Sequence, residues 1–304
     1  MNAVTLSDAD YQRLTIRQAP VANRKVLLVL PALILFVGFF ALPVASLFAL
    51  AFNSSKRGVV TFQISSISLT NFERFFSDSL FFGALSNSLI LAILVASLCL
   101  LLGYPVAYTI AKSRNSKRVT LYTTLVLISM QLDPVIRAYG LMVLLGDNGL
   151  INGSLIRAGW IQAPLPLMYN WFGTLVGLVQ NCLPFMVLAL IGIIRSINPS
   201  VEEAARSLGA SRWQTFFRVT FLLTLPGILS GFLLVFSLGI SSYSVPVLMG
   251  GWKVLLLPLH IYQQISERAN FQFGALIAFI LFLISMVSVT LYHRITQRTV
   301  GGLV

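Results

Sequence analysis

Residues 201–220 read VEEAARSLGASRWQTFFRVT, the one long polar and charge-bearing run in the second half of an otherwise apolar chain. The run holds two adjacent glutamates, three arginines and one glycine. Apolar segments precede and follow it, so the pattern predicts a solvent-facing segment that joins two buried ones.

The composition predicts an all-α integral membrane protein that crosses the bilayer several times. Of 304 residues, 57% are hydrophobic and 10% are charged, and the mean hydropathy is +0.87. Soluble domains carry about 25% charged residues. The net charge of +12 does not indicate nucleic-acid binding, because the basic residues lie beside apolar spans and form no basic cluster interleaved with aromatic residues.

Segments of about 20 apolar residues are long enough to cross a bilayer. The first of them is too long for the apolar region of a secretory signal, which has roughly 7 to 15 residues. The third is interrupted by Asp133, Pro134 and Arg137, and residues 138–146 either continue it or form a separate helix at the outer surface. Six spans are predicted: Val26–Phe52, Ser86–Ala111, Val119–Leu132, Trp171–Ile194, Val219–Ile240 and Phe273–Tyr292.

The basic residues predict the orientation, because lysine and arginine accumulate on cytoplasmic loops. With the N-terminus inside, 14 of the 21 Lys and Arg fall on cytoplasmic segments. This places both termini and residues 201–220 in the cytoplasm, with residues 1–25 as a cytoplasmic leader ahead of a transmembrane domain at 26–304. The seven on outer segments are Lys56, Arg57, Arg74, Arg137, Arg157, Lys253 and Arg268.

Capping residues predict a helix, a turn and a second helix within residues 198–218. Asn198 before Pro199 is typical of a helix start, and Ser200 with Glu203 offers an alternative register. Gly209 is placed to end that helix in a left-handed conformation. Ser211 and Gln214 form a second capping box. An amphipathic helix lying at the membrane interface is the alternative interpretation.

The segment EEAARSLGASRWQTFFRVTFLLTLPGI resembles the EAA loop of permease subunits of binding-protein-dependent type I ABC importers. Its Glu-Ala-Ala, its glycine and its spacing match that pattern. Where members often have Leu-Pro, this chain has Phe221-Leu222, and its proline comes later, at Pro226. Further segments resemble the polyamine (spermidine/putrescine) branch: LTNFERFF at 69–76, LSNSLILAI at 85–93, LLGYPVAYTIAKSR at 101–114, IRAYGLMVLLGDNGLING at 136–153, PFMVLAL at 184–190 and PVLMGGWKVLLLPLHIYQQI at 246–265.

The resemblance implies a transport subunit of the bacterial cytoplasmic (inner) membrane and no enzyme activity in this chain. Its expected partners are two ATPase subunits, a second permease that is a different but related chain, an extracytoplasmic substrate-binding protein and membrane lipid. ATP and Mg²⁺ would be bound by the ATPase subunits, since the sequence contains no GxxxxGK[ST] phosphate loop. No cofactor or metal site is expected in the chain itself.

The resemblance also assigns roles within the predicted coupling helix between the fourth and fifth spans. Glu203 would anchor it, through hydrogen bonds or an ion pair with Arg206 or an ATPase side chain. Apolar contact with the ATPase would come from Ala204, Ala205 and Leu208, and Gly209 would permit the turn.

The substrate pathway is less marked in the sequence. Asp133 and Arg137 lie four residues apart, so on one helix they share a face and could neutralise each other, or they lie at the membrane interface. Tyr139 and Trp252 could stack on a cation, or belong to aromatic belts. Tyr243 opens a segment to Gly251 that predicts an irregular loop at the pathway mouth.

The polar residues within spans, Gln131, Gln180, Asn181 and Ser237, are predicted to form hydrogen bonds between helices. Both cysteines are predicted to be packing residues that face lipid or another helix. The predicted solute is a polyamine or a related small polar amine or organic compound. Phosphonates, iron chelates and opine-like compounds are alternatives on the same fold. A stand-alone secondary transporter is the alternative from another class, but it would need its own coupling-ion site. Near the spans Asp133 is the one acidic candidate for such a site.

Overall fold

The computed structural model describes residues 22–54, 58 and 64–300. The chain forms two compact units, Met1–Ala49 and Leu50–Val304, each taken by itself below. Residues 1–21 of the predicted leader lie outside the described residues. The first unit contains α1, Ala22–Phe36, a π-helical segment at Val37–Ala41 and most of α2, Leu42–Ala51.

In the described part of the second unit the regular secondary structure is helical, and the one β-type pairing is an isolated bridge between Asn53 and Ile67. Short π-helical segments occur at Phe216–Thr220 and Gln263–Glu267, and a 3₁₀ turn at Ile64–Ser66. The α-helices are α3, Thr70–Ser77; α4, Ser79–Lys112; α5, Ser116–Gln131; α6, Pro134–Leu145; α7, Leu150–Arg157; α8, Trp171–Ser196; α9, Pro199–Ser207; α10, Arg212–Thr215; α11, Phe221–Leu223; α12, Leu225–Ser241; α13, Ser244–Gly250; α14, Leu257–Tyr262; and α15, Phe271–Val300.

Four helical segments among the described residues are long and apolar enough to cross a bilayer: Val29–Ala51, Ser79–Lys112, Trp171–Ser196 and Phe271–Tyr292. Two further pairs qualify only when a bent pair is counted as one span. The helices Ser116–Gln131 and Pro134–Arg157 meet at 100°, and Arg212–Leu223 and Leu225–Ser241 meet at 60°. The six predicted spans therefore correspond to four continuous candidate spans and two bent helix pairs, which gives four to six spans in the described residues.

The break in the third predicted span has a local cause. Asp133 adopts an extended conformation before Pro134, and its carboxylate accepts a hydrogen bond from the Val135 amide at 2.7 Å. A residue before proline is disfavoured in the helical region, and aspartate is a good N-cap, so the chain starts a new helix here. Residues 138–146 therefore belong to a separate helix and not to a straight continuation of α5.

The fifth predicted span begins earlier than Val219 and is bent. Helical structure starts at Arg212 and breaks at Thr224, and Pro226 lies in the first turn of α12. Proline has no amide hydrogen to donate to the preceding turn. The displaced proline of the Leu-Pro pattern thus marks the bend.

The second predicted span was too short at its start. The Asp78 side chain accepts a hydrogen bond from the Leu80 amide at 3.0 Å and caps α4 at Ser79. This N-cap places Phe81 within α4, where its ring packs against Phe273 of α15 with centroids 4.8 Å apart. A second, smaller core forms around this aromatic contact.

The main core of the second unit lies among α4, α8 and α12, which pack on one another. Cys99 and Cys182 are fully buried in it as free thiols, as the packing interpretation predicted. Gly227 lets α12 approach α8 closely, since a Cβ there would lie 2.2 Å from a methyl of Ile193. Gly231, one turn on, would bring a Cβ to 2.8 Å from the Met186 sulfur. Small residues at this spacing typify close helix contacts in membranes.

Candidate coupling surface

The polar stretch folds as the capping residues predict. Asn198 caps α9, accepting a hydrogen bond from the Ser200 amide at 3.0 Å, and Pro199 occupies the first turn. The helix therefore uses the Asn198 register and not the one that begins at Ser200. Proline at this point costs no hydrogen bond, because the first amides of a helix have no partner within it.

A left-handed glycine ends α9. Gly209 has φ +89°, and the next amide, of Ala210, donates to the Ala205 carbonyl at 3.1 Å. A capping box then starts α10: the Ser211 hydroxyl accepts from the Gln214 amide, and the Gln214 side chain accepts from the Ser211 amide. Both local predictions are confirmed.

The α9 helix has one face toward the protein and one toward solvent. Within α9, Glu202 and Ala205 are partly buried, and the other side chains are exposed. Leu208, just past its end, is 90% exposed. Beyond the turn, Trp213 is 73% exposed. Large apolar side chains exposed on a short polar segment are typical of a surface that binds another protein.

Glu202, and not Glu203, joins α9 to the body of the protein. Its Oε1 lies 2.7 Å from Lys112 Nζ at the end of α4 and accepts a hydrogen bond from the Thr220 hydroxyl at 2.8 Å. Burial alone would raise the pKa of Glu202, but the hydrogen bonds from Lys112 and Thr220 and the charges of Lys112 and Arg206 outweigh it and lower that pKa. The carboxylate is thus held ionised between two helical segments.

Glu203 points to solvent, and the predicted ion pair between Glu203 and Arg206 is not formed in the described part of the chain. The motif predicts the anchoring role for Glu203, which is its glutamate. It does not indicate Glu202, Lys112 or Thr220. The helical spacing does indicate Glu202, because a residue three positions before Ala205 lies on the same face of the helix as that alanine.

Aromatic packing adds a second connection between this region and α4. The Phe216 ring lies edge-on to Tyr104 and Tyr108, with centroids 5.8 and 5.3 Å away. The Tyr104 hydroxyl lies 3.1 Å from the Thr224 hydroxyl at the bend before α12. The segment from Phe216 to Thr224 is therefore fixed against α4 at both of its ends.

The predicted pathway residues lie on neighbouring elements. Asp133 caps α6, Arg137 and Tyr139 lie on α6, and α6 packs against α13, which begins directly after Tyr243. Trp252 follows α13 and has a left-handed conformation with φ +63°. The irregular loop predicted for residues 243–251 is wrong, because residues 244–250 form a helix that Gly251 ends with φ +57°.

Arg137 is buried and bonds to α8 instead of to Asp133. Its guanidinium donates to the main-chain oxygen of Asn181 at 3.4 Å and to the Asn181 side-chain oxygen. Asp133 is exposed, and its carboxylate serves the helix cap. The predicted neutralisation of Arg137 by Asp133 as a contact ion pair is therefore not observed, and Asn181 has the helix-to-helix role predicted for polar groups inside spans.

The sequence and the fold are similar to those of known proteins. The model of the family described as "binding-protein-dependent transport system inner membrane component" matches residues 100–301. The chain belongs to this family, and is therefore a multi-pass membrane permease of a solute transport system and not an enzyme.

Curated relatives include permeases of different solutes. The spermidine/putrescine transport system permease protein PotB of Haemophilus influenzae is 34% identical over 256 residues, 84% of this chain and 88% of that protein. PotB of Escherichia coli strain K12 is 36% identical over 75% of this chain and 82% of its own length. The sulfate transport system permease protein CysW of Synechocystis is 28% identical over 94% and 98%.

Solved structures share the fold. The bacterial alginate ABC transporter in complex with its alginate pentasaccharide-bound periplasmic protein matches with a TM-score of 0.73 and 21% identity, over 93% of this chain and 98% of that one. The MetNI methionine ABC transporter matches with a TM-score of 0.55 and 17% identity, over 72% and 96%. The chain therefore has the fold of ABC importer permeases.

Proposed function

We propose that this chain is a permease subunit of a bacterial ABC importer that takes up polyamines. The observation that carries this substrate class is the similarity to two PotB proteins, at 34% and 36% identity over 84% and 75% of the chain. The sulfate permease covers more of the chain at only 28% identity, which makes sulfate the natural comparison solute.

The proposed topology places both termini and α9 in the cytoplasm, where α9 acts as the coupling helix. The excess of lysine and arginine on that side supports this orientation. The exposed face of Glu203, Ala204, Arg206 and Leu208, together with the turn at Gly209, would bind an ATPase subunit. Leu208 supports this role because an apolar side chain that is 90% exposed gains most from a partner that covers it.

The inward face of α9 would transmit motion. Glu202 binds Lys112 of α4 and Thr220 of the segment that leads into α12, and Ala205 lies on the same partly buried face. Because α4 and α12 both line the main core, a displacement of α9 by the ATPase would reach two central helices at once.

The complete importer would lie in the inner membrane. It would contain two ATPase subunits, a second permease that differs from but is related to this one, and an external binding protein. ATP and Mg²⁺ would be held by the ATPase subunits. The family description supports the binding protein, and the alginate transporter was solved with a periplasmic protein bound.

The pathway would pass near α6 and α13. Tyr139 and Trp252 are both exposed, as groups that stack on a cationic solute must be. Asp133 offers a carboxylate at the start of α6, and the Tyr243 ring packs against Tyr262 with centroids 5.0 Å apart. The buried guanidinium of Arg137 would hold α6 against α8 through Asn181 and not touch the solute.

The test is ATP hydrolysis by the purified complex in lipid, with its binding protein loaded with spermidine, with putrescine or with sulfate. We expect stimulation by a polyamine-loaded binding protein and none by sulfate. Leu208→Asp should reduce co-purification of the ATPase. The matched control is an exposed apolar residue outside the spans, which excludes Leu101. Ile64→Asp, at an apolar residue that is 80% exposed on the outer side of the proposed topology, serves as that control and should retain the ATPase. Transport on an ion gradient without an ATPase would refute the proposal.

A further inference from the structure

A cavity of about 460 Å³ lies between α9 and the ends of α4 and α8. Glu203 and Arg206, which belong to the face of α9 that is proposed to bind the ATPase, also line it. Its apolar wall includes Ile194 and Ile197, and its polar wall is rich in arginine.

Basic side chains outnumber acidic ones around this cavity. Lys112, Arg114, Arg195 and Arg206 line it together with Glu202 and Glu203. Lys112 and Glu202 neutralise each other at 2.7 Å, which is the one ion pair within 4 Å in the described part of the chain. The three arginines that also line the cavity have no carboxylate of the described residues within 4 Å, and this excess of positive charge favours an anion.

The cavity lies where two apolar helices end. Lys112 and Arg195 are in the last turns of α4 and α8, each of which contains a candidate membrane span. Under the proposed topology these are the cytoplasmic ends of the two helices, and basic pockets between membrane helices on that side bind anionic headgroups. The combination of an apolar wall and a guanidinium wall fits a phosphate that remains attached to a glycerol backbone and acyl chains.

We propose that this cavity binds the phosphate of an anionic phospholipid. Arg114 and Arg195 donate to the phosphate oxygens in the bidentate manner typical of guanidinium groups. The lipid then bridges the ends of α4 and α8. This inference rests on the proposed topology only for the leaflet that supplies the lipid.

The test measures lipid binding to the purified complex in a neutral detergent. Phosphatidylglycerol, phosphatidylcholine and inorganic phosphate are titrated separately, and bound molecules are counted by native mass spectrometry. We expect phosphatidylglycerol to bind more tightly than phosphatidylcholine. Arg114→Gln with Arg195→Gln should weaken phosphatidylglycerol binding by about 25-fold, at about fivefold for each basic residue near the headgroup.

Matched variants separate the cavity from general surface charge. Lys117→Gln with Arg118→Gln removes the same charge from exposed residues of α5 that do not line the cavity, and should leave the affinity unchanged. Arg114→Lys with Arg195→Lys keeps the charge but loses the bidentate geometry, so its affinity should lie between those of the wild type and the glutamine pair. Equal weakening by both glutamine pairs would overturn the site, and displacement of the lipid by inorganic phosphate at equal affinity would overturn the lipid assignment.

These measurements are independent of transport. If the cavity variants change lipid binding as expected but no polyamine stimulates ATP hydrolysis by the complex, the proposed function is refuted and the lipid site stands. Polyamine-stimulated hydrolysis without selective lipid binding would do the reverse.

Discussion

Lys112 Nζ lies 2.7 Å from Glu202 Oε1, so the last residue of α4 is bound to the inward face of α9. The same carboxylate accepts a hydrogen bond from Thr220, 18 residues further along the chain. Both side chains of the ion pair are largely shielded from solvent, at 24% and 13% exposed. A pair in this position connects an exposed helix to the helical core, which distinguishes it from the solvated ion pairs that contribute little to stability.

Glu202→Ala is expected to destabilise the complex by about 1 to 3 kcal/mol, because it leaves the partly buried Lys112 and Thr220 without their acceptor. Glu203→Ala removes the same charge from the exposed face and should cost little. Thermal unfolding of the purified complex checks the difference. In a double-mutant cycle, the loss of stability caused by Lys112→Ala should not add to the loss caused by Glu202→Ala. Additive losses would show that the two residues act separately.

The stability of the complex should depend on pH through Glu202. Its pKa in the folded protein lies below the ordinary value of 4.5, so folding favours the ionised form. The stabilisation is complete above pH 4.5 and is lost as the pH falls through the lower folded pKa. The difference in melting temperature between the wild type and Glu202→Gln should therefore shrink as acid is added. A Glu203→Gln series is the matched control, since it removes a carboxylate of α9 that contacts neither Lys112 nor Thr220.

The sequence predicted the turn structure of residues 198–214 well because the signals there are local. An asparagine before a proline, a glycine eleven residues after that asparagine and a Ser-x-x-Gln box each act on amides within a few residues. The same locality explains the error at residues 243–251. Pro246 and Gly250 suggested a loop, but proline is tolerated in the first turn of a helix, and the Ser244–Gly250 helix places it there.

Contacts between distant parts of the chain could not be predicted in this way. Whether Glu202 or Glu203 contacts Lys112 depends on how α9 is rotated against α4. Arg137 binds Asn181 instead of Asp133 because α6 packs on α8. Hydrophobic periodicity also does not indicate a bend: the 60° break at Thr224 follows from the position of Pro226 within an otherwise continuous apolar run.

Gly209 should tolerate asparagine better than valine. Its φ of +89° lies in the region that glycine adopts freely and β-branched residues avoid, and a strained residue there costs about 1 to 3 kcal/mol. An added Cβ would meet no other heavy atom of the described structure within 4 Å, so the cost is one of backbone conformation and not of collision. Binding-protein-stimulated ATP hydrolysis should fall further in Gly209→Val than in Gly209→Asn. Equal activity in both would contradict a requirement for the left-handed turn.

Gly227→Ala and Gly192→Ala form a matched pair of glycine substitutions in neighbouring helices. At Gly227 the new Cβ would lie 2.2 Å from the Ile193 Cγ2 atom, so α12 must move away from α8, at a cost of about 1 to 3 kcal/mol. At Gly192 it would meet nothing within 4 Å, and alanine improves helix propensity by about 1 kcal/mol. Thermal unfolding of the purified complex should show a lower melting temperature for Gly227→Ala and an unchanged or higher one for Gly192→Ala. If the two variants unfold at the same temperature, α12 and α8 do not make this close contact in the assembled membrane protein.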